Sequence, residues 1–159
     1  MLRISKLTDY ATVIMTHIAR EPLTVHAATD IAQLTGLGLP TVSKVLKLLV
    51  KASLLESKRG TKGGYVLQGK VTEINIAQII TAIEGPISMT ECAIEVGNCE
   101  QEASCEIKGN WSLINRKVYS ALEEVKLVEL LEAPNEQKVK LMVPKKMAKK
   151  SAEPINVES

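Results

Sequence analysis

The sequence predicts a mainly α-helical chain with one small β-hairpin and a long C-terminal helix that pairs with a second copy. Three observations predict it. Apolar residues recur at helical spacing through residues 8–51, a basic glycine-bearing hairpin follows directly, and an apolar repeat of alternating four and three runs from 107 to 125.

The first helix is expected from Thr8 to Arg20, capped by Thr8 or Asp9, with Tyr10, Ile14 and Ile18 on one face and Glu21-Pro22 ending it. A second is expected from His26 to Thr35, with Ala28, Ile31, Ala32 and Leu34 apolar, broken by Gly36-Leu37-Gly38. A third begins at Pro40, a residue suited to a first helical turn because its missing N–H would have no partner there. Val42, Val45, Leu46 and Leu49 form its buried stripe, and Thr41, Ser43, Lys44, Lys47 and Lys51 lie on the other face.

Two short helices around a glycine-bearing turn form a helix-turn-helix, whose second helix enters the DNA major groove by its N-terminal residues. Hydroxyls at Thr41 and Ser43 can reach base edges, and Lys44 and Lys47 can meet phosphate or guanine. A plain helical hairpin with a solvated lysine face fits that segment equally well. The next stretch separates them. Leu54 to Lys58 and Gly64 to Leu67 read as strands joined by Arg59-Gly60-Thr61-Lys62-Gly63, a wing whose tip residues Arg59, Thr61 and Lys62 suit a narrow minor groove. A phosphate-cradling enzyme loop is disfavoured, since no G-x-x-x-x-G-K-[ST] is present.

Residues 73–84 form another amphipathic helix, a polar cysteine-bearing loop follows, and a long helix is expected from about Cys105 to Glu124. Ile107, Trp111, Ile114, Val118, Ala121 and Val125 make its dimer seam. The class is therefore a winged helix-turn-helix plus a long C-terminal dimerisation helix. Residues 1–70 form the DNA-binding domain, 71–132 the linker helix, cysteine loop and dimerisation helix, and 133–159 a lysine-bearing tail.

Charge agrees with that division. Residues 1–70 carry ten Lys or Arg against four Asp or Glu, whereas 71–137 carry four against twelve, so a polyanion should meet the front of the chain. At 159 residues and 45% hydrophobic the chain can bury a core, and it has neither a membrane-length apolar run nor the apolar run of a signal peptide, so a cytoplasmic protein is expected. No nucleophile with a matching histidine and no paired acids suggest an enzyme.

All three cysteines, Cys92, Cys99 and Cys105, fall within fourteen positions. In a reducing cytosol such a cluster points to metal or redox chemistry rather than disulfides. Thiolates serve both zinc and iron-sulfur clusters, and the spacing C-x6-C-x5-C lacks the paired CxxC knuckles of common zinc sites.

RISKLTDYA at the start, the helix-turn-helix, the wing SKRGTKGGYVL, the helix INIAQIITAIEG and three cysteines before a long helix together resemble the Rrf-two family of bacterial winged-helix regulators over residues 2–132. The resemblance implies an iron-sulfur cluster, 4Fe-4S preferred and 2Fe-2S possible, with zinc as the alternative. IscR-like members carry a histidine three residues after the last cysteine, where this chain has Lys108. NsrR-like members use an aspartate near the start of the first helix of the partner subunit, which corresponds to Asp9. Glu91, Glu95 or a small molecule are substitutes. The resemblance further implies a homodimer on a double-stranded DNA operator, repressing SUF-type iron-sulfur assembly genes. Nitric-oxide or redox sensing on the same fold, and a zinc-stapled interaction module, are the other readings.

The tail KVKLMVPKKMAKKSAEPINVES has six lysines, two prolines and little apolar period, and is expected to bury too little surface to offset the entropy of ordering. Truncation after Pro134 should leave iron content, dimerisation and operator preference intact, with a modest affinity loss that shrinks as salt rises. Iron assay, sedimentation and operator titration at two salt concentrations check this; loss of sequence preference would make the tail part of the functional core.

Overall fold

The computed structural model describes residues 4–88 and 108–132, with side chains from Trp111 onward in the second stretch. Its elements are mainly helical with one two-stranded antiparallel sheet, as the sequence predicts. No described helix is long and apolar enough to cross a membrane.

Helix α1 spans Lys6–Arg20 and begins earlier than expected, because Ser5, rather than Thr8 or Asp9, is its N-cap. The Ser5 hydroxyl accepts from the Thr8 N–H at 3.3 Å. Thr8 is 1% exposed and its hydroxyl donates to Glu84, whose same oxygen accepts the Ser5 N–H at 3.0 Å. In a capping box, an acid at the third helical position answers the N-cap N–H. Here Thr8 holds that position, and Glu84 supplies the carboxylate from the far end of the helical core.

Helix α2 (Ala28–Thr35) starts two residues later than expected, since His26 belongs to a strand-like bridge with Tyr65. The two residues exchange backbone bonds of 2.8 and 2.9 Å. Leu34, expected among the apolar residues of this helix's inner side, is 69% exposed. It lies roughly a third of a turn away from the face made by Ala28, Ile31 and Ala32, which packs on the core. Gly36 ends α2 at φ +72°, a conformation that side-chain-bearing residues resist.

Helix α3 (Leu39–Lys51) buries its predicted stripe completely, with Val42, Val45, Leu46 and Leu49 at 0% exposure among α1, α2 and α4. At its end the Leu54 N–H returns to the Leu49 carbonyl and Ser53 takes φ +59°, which turns the chain into the hairpin. Strands β1 (Leu55–Lys58) and β2 (Gly64–Leu67) pair antiparallel, Leu55 opposite Leu67 at the buried root and Lys58 opposite Gly64 towards the tip.

Helix α4 (Ile76–Glu84) is capped reciprocally by Asn75 and Gln78, and therefore starts three residues later than the amphipathic pattern alone suggests. Helix α5 (Lys108–Glu124) packs on α4, and beyond it a 3-10 turn (Leu127–Leu130) brings the chain back to the core. Leu127 is 0% exposed, its N–H bonding the Ile74 carbonyl at 2.8 Å, while the Val125 carbonyl receives the Ile76 N–H at 3.0 Å.

The Thr8 and Ser5 hydrogen bonds hold the Glu84 carboxyl below its ordinary pKa of 4.5. A depressed folded-state pKa stabilises the fold fully above the unfolded value, and that contribution is lost as pH falls through the depressed value. Thermal unfolding followed from about pH 6 down to about pH 3 should therefore show a smaller acid-induced loss of Tm in Glu84→Gln than in the parent. Equal losses would mean that Glu84 does not anchor α1.

Candidate nucleic-acid interface and thiol segment

Burial of the α3 stripe turns its opposite face outward. Lys44, Lys47 and Lys51 are exposed there, while Thr41 and Ser43 are half-buried. Neither of those hydroxyls is engaged by another described group, so both remain able to donate and accept. No acidic residue occurs in α3, which leaves the lysines without an ion-pair partner on their own helix.

The wing adds a second cationic edge. Arg59, Thr61 and Lys62 are exposed at its tip. Lys58 pairs with Glu56 on the same strand; both are about half exposed, so this ion pair adds little stability and offsets one charge locally. Two glycines set the hairpin's shape. A Cβ on Gly64 would lie 2.4 Å from the His26 carbonyl oxygen, and one on Gly63 would lie 2.5 Å from that of Lys58. The bare backbone at Gly64 lets the hairpin close against the α1–α2 connection, so wing and helix-turn-helix share one frame, while that at Gly63 lets the tip turn tightly on itself. Beneath it, His17 and His26 meet edge to face at 5.5 Å. Burial first, then the neighbouring His26 and Arg20, lowers the His17 pKa, with Glu21 opposing.

The thiol segment is described only at its borders. Cys92, Cys99 and Cys105 lie outside the described residues, as does Ile107 of the seam and the whole tail. Among the described residues no group of three or more His, Cys, Asp or Glu side chains gathers to hold a metal. Asp9 sits exposed in the first turn of α1, and its carboxylate has no hydrogen-bond or ion-pair partner among the described residues. The capping work that would have occupied it falls to Ser5 and Glu84. That pairing joins residues 79 apart in sequence, so no local pattern announces it.

Of the other seam residues, Trp111, Val118 and Val125 are half-buried, whereas Ile114 and Ala121 are exposed. Leu113 and Tyr119, outside the predicted seam, are 47% and 37% exposed. The Asn115 amide donates to the Ile87 carbonyl at 3.2 Å, fixing α5 against the segment that leaves α4. A cleft of about 220 Å³ lies between Ala52, Leu54, Gln78, Thr81, Ala82 and Tyr119, where α3, α4 and α5 meet.

The chain is similar to known regulators along most of its length. An HTH-type transcriptional regulator of Neisseria meningitidis serogroup A is 33% identical over 105 residues, 66% of this chain and 70% of that protein. The HTH-type transcriptional regulator IscR of Aliivibrio salmonicida is 30% identical over 102 residues, 64% of this chain and 60% of IscR. Among solved structures, CymR, described as the global cysteine regulator of B. subtilis, matches with a TM-score of 0.64 and 31% identity, covering 82% of this chain and 97% of CymR. The family model for Rrf2, described as an iron-dependent transcriptional regulator, matches residues 4–133. The helix-turn-helix, its basic wing and these matches carry one conclusion: the chain belongs to the Rrf2 family of winged-helix, DNA-binding transcriptional regulators.

Proposed function

We propose that this regulator is a cytoplasmic homodimer that senses iron-sulfur cluster status and represses SUF-type iron-sulfur assembly genes. Residues 1–70 read the operator, and 71–132 sense and pair. Cys92, Cys99 and Cys105 hold the cluster, 4Fe-4S in preference to 2Fe-2S, with Asp9 of the partner subunit as the fourth ligand.

The observation that carries this reading is the state of Asp9. A helix-terminal acid ordinarily serves the backbone N–H groups beside it. Here that service is performed by Ser5 and Glu84, and the Asp9 carboxylate is left open to solvent. Three thiolates and one carboxylate form a donor set suited to iron, and zinc would accept the same atoms. The similarity to IscR and the iron-dependent description of the family favour iron. When bound, the cluster supplies an iron whose oxygen ligand is weaker than a thiolate and so more readily exchanged. Pairing through α5 is supported by the seam residues Trp111 and Ile114, which share one side of the helix and are left half-buried and exposed, respectively, in one chain. A second copy would set two α3 helices over half-sites about 34 Å apart. Cluster state alters DNA affinity only insofar as the two states differ in their DNA contacts.

The similarity to CymR favours a second reading, in which the same thiols sense cysteine or redox state without a cluster. Nitric-oxide sensing shares the cluster-bearing form, and a zinc-stapled interaction module shares the thiols but not the operator.

Removing the charge of Lys44, Lys47, Arg59 or Lys62 should weaken operator binding and flatten its salt dependence by about one unit of slope per lost phosphate contact. Changes at Thr41 and Ser43 should instead alter which sequence is preferred. Titrations across a range of salt concentrations check both, and unchanged binding in every variant would refute the α3-and-wing interface.

Replacing Cys92, Cys99 or Cys105 by Ser should each sharply reduce visible absorbance and iron content while leaving a folded dimer. Parent protein that holds stoichiometric zinc after anaerobic isolation and reconstitution would reject the cluster. Iron-free protein whose operator binding follows thiol oxidation would support the second reading.

A further inference from the structure

Leu39 is the first residue of α3, and it is 43% exposed. Its neighbour Leu37 is the residue of this turn that packs against the core, so Leu39 is not needed to anchor the helix. Pro40 beside it is also exposed. This small apolar step stands at the N-terminal end of a helix whose charged residues are three lysines and no acid, in the same winged unit as the basic tip residues Arg59 and Lys62. Such cationic surroundings fit a polyanion better than an apolar protein face. The N-terminal residues of this helix are also the ones a helix-turn-helix lowers into the major groove. A leucine offers no hydrogen bond there, and the apolar feature that distinguishes one base edge from another in that groove is the thymine C5-methyl group.

We propose that Leu39 is a specificity-determining residue that reads a thymine in each operator half-site through contact with its C5-methyl. Thr41 and Ser43 read neighbouring base edges by hydrogen bonds, so the helix start combines an apolar and a polar reading of the sequence. The inference rests on DNA recognition by α3 and is independent of any cluster.

The test begins by selecting preferred duplexes from a random pool with the full chain. Each thymine of the selected operator is then replaced singly by deoxyuridine, which removes the methyl and keeps the base pair. The parent should lose about fourfold in affinity at one thymine per half-site, the effect expected for one methyl group returned to water. Leu39→Ala, which removes the contact from both half-sites of a dimer, should bind the unmodified operator about 16-fold more weakly and be indifferent to that replacement. Its melting temperature should stay close to the parent's, because Leu39 is 43% exposed and Leu37, rather than Leu39, packs on the core. Indifference of the parent to every replacement overturns the proposal without recourse to any variant. Undiminished methyl sensitivity in Leu39→Ala overturns it too, assigning the contact to another side chain such as Pro40 or Thr41. A pool that yields no preferred sequence overturns sequence-specific recognition itself, an outcome distinct from the other two.

Discussion

The burial of four aliphatic side chains on one helix governs this molecule. Val42, Val45, Leu46 and Leu49 of α3 are each fully withdrawn from water against α1, α2 and α4. At roughly 1.5–3 kcal/mol for each such side chain, no surface interaction competes with them in setting the helix's rotation. Rotation in turn decides function. With that stripe inward, Lys44, Lys47 and Lys51 face outward, with Thr41 and Ser43 half-buried near the helix start. A slip of one residue would bury lysine and expose valine, so packing and DNA-facing chemistry are specified together.

The wing depends on the same frame. The turn at Ser53 carries α3 directly into β1, and Leu55 and Leu67 root the hairpin beside the core. The backbone bonds between His26 and Tyr65 then hold its second strand to the α1–α2 connection. Gly64 permits this approach because it places no Cβ where the His26 carbonyl oxygen sits, and Gly63 does the same for the carbonyl oxygens of Lys58 and Gly60 within the hairpin tip. The basic tip is thus exposed and adaptable while its base is fixed relative to α3, which suits a second contact at a set distance from the first.

A polar link joins the two ends of the helical core. Glu84 closes α4 and, with the same oxygen, accepts from Ser5 and Thr8 at the start of α1. The thiol-bearing segment leaves α4 a few residues after Glu84, and Asp9 lies one position after Thr8. The link therefore ties the helix end that precedes the cysteines to the helix start that presents the open carboxylate. The Val125 and Leu127 backbone bonds do the same for the far end of α5, returning it to the strand-like entry of α4.

Much was legible from the sequence by itself. The α3 stripe, the wing strands and the basic front of the chain follow from the helical period, from glycine and β-branched or aromatic residues, and from charge, all of which act over a few neighbouring positions. The cysteine cluster and the Asp9 assignment were likewise legible as candidates, though the thiols lie outside the described residues. Tertiary structure decided what local pattern left degenerate. The cap expected at Thr8 or Asp9 is made by Ser5, whose N–H bonds Glu84 from 79 residues away together with the Thr8 hydroxyl. His26, expected to open the second helix, is drawn out of it by its pairing with Tyr65. Leu34 and Leu37 are equally apolar in sequence, yet the short α2 turns the first outward while the second packs on the core. In each case the deciding partner comes from a distant element, because periodicity specifies which residues share a face but not which donor, acceptor or apolar surface that face will meet.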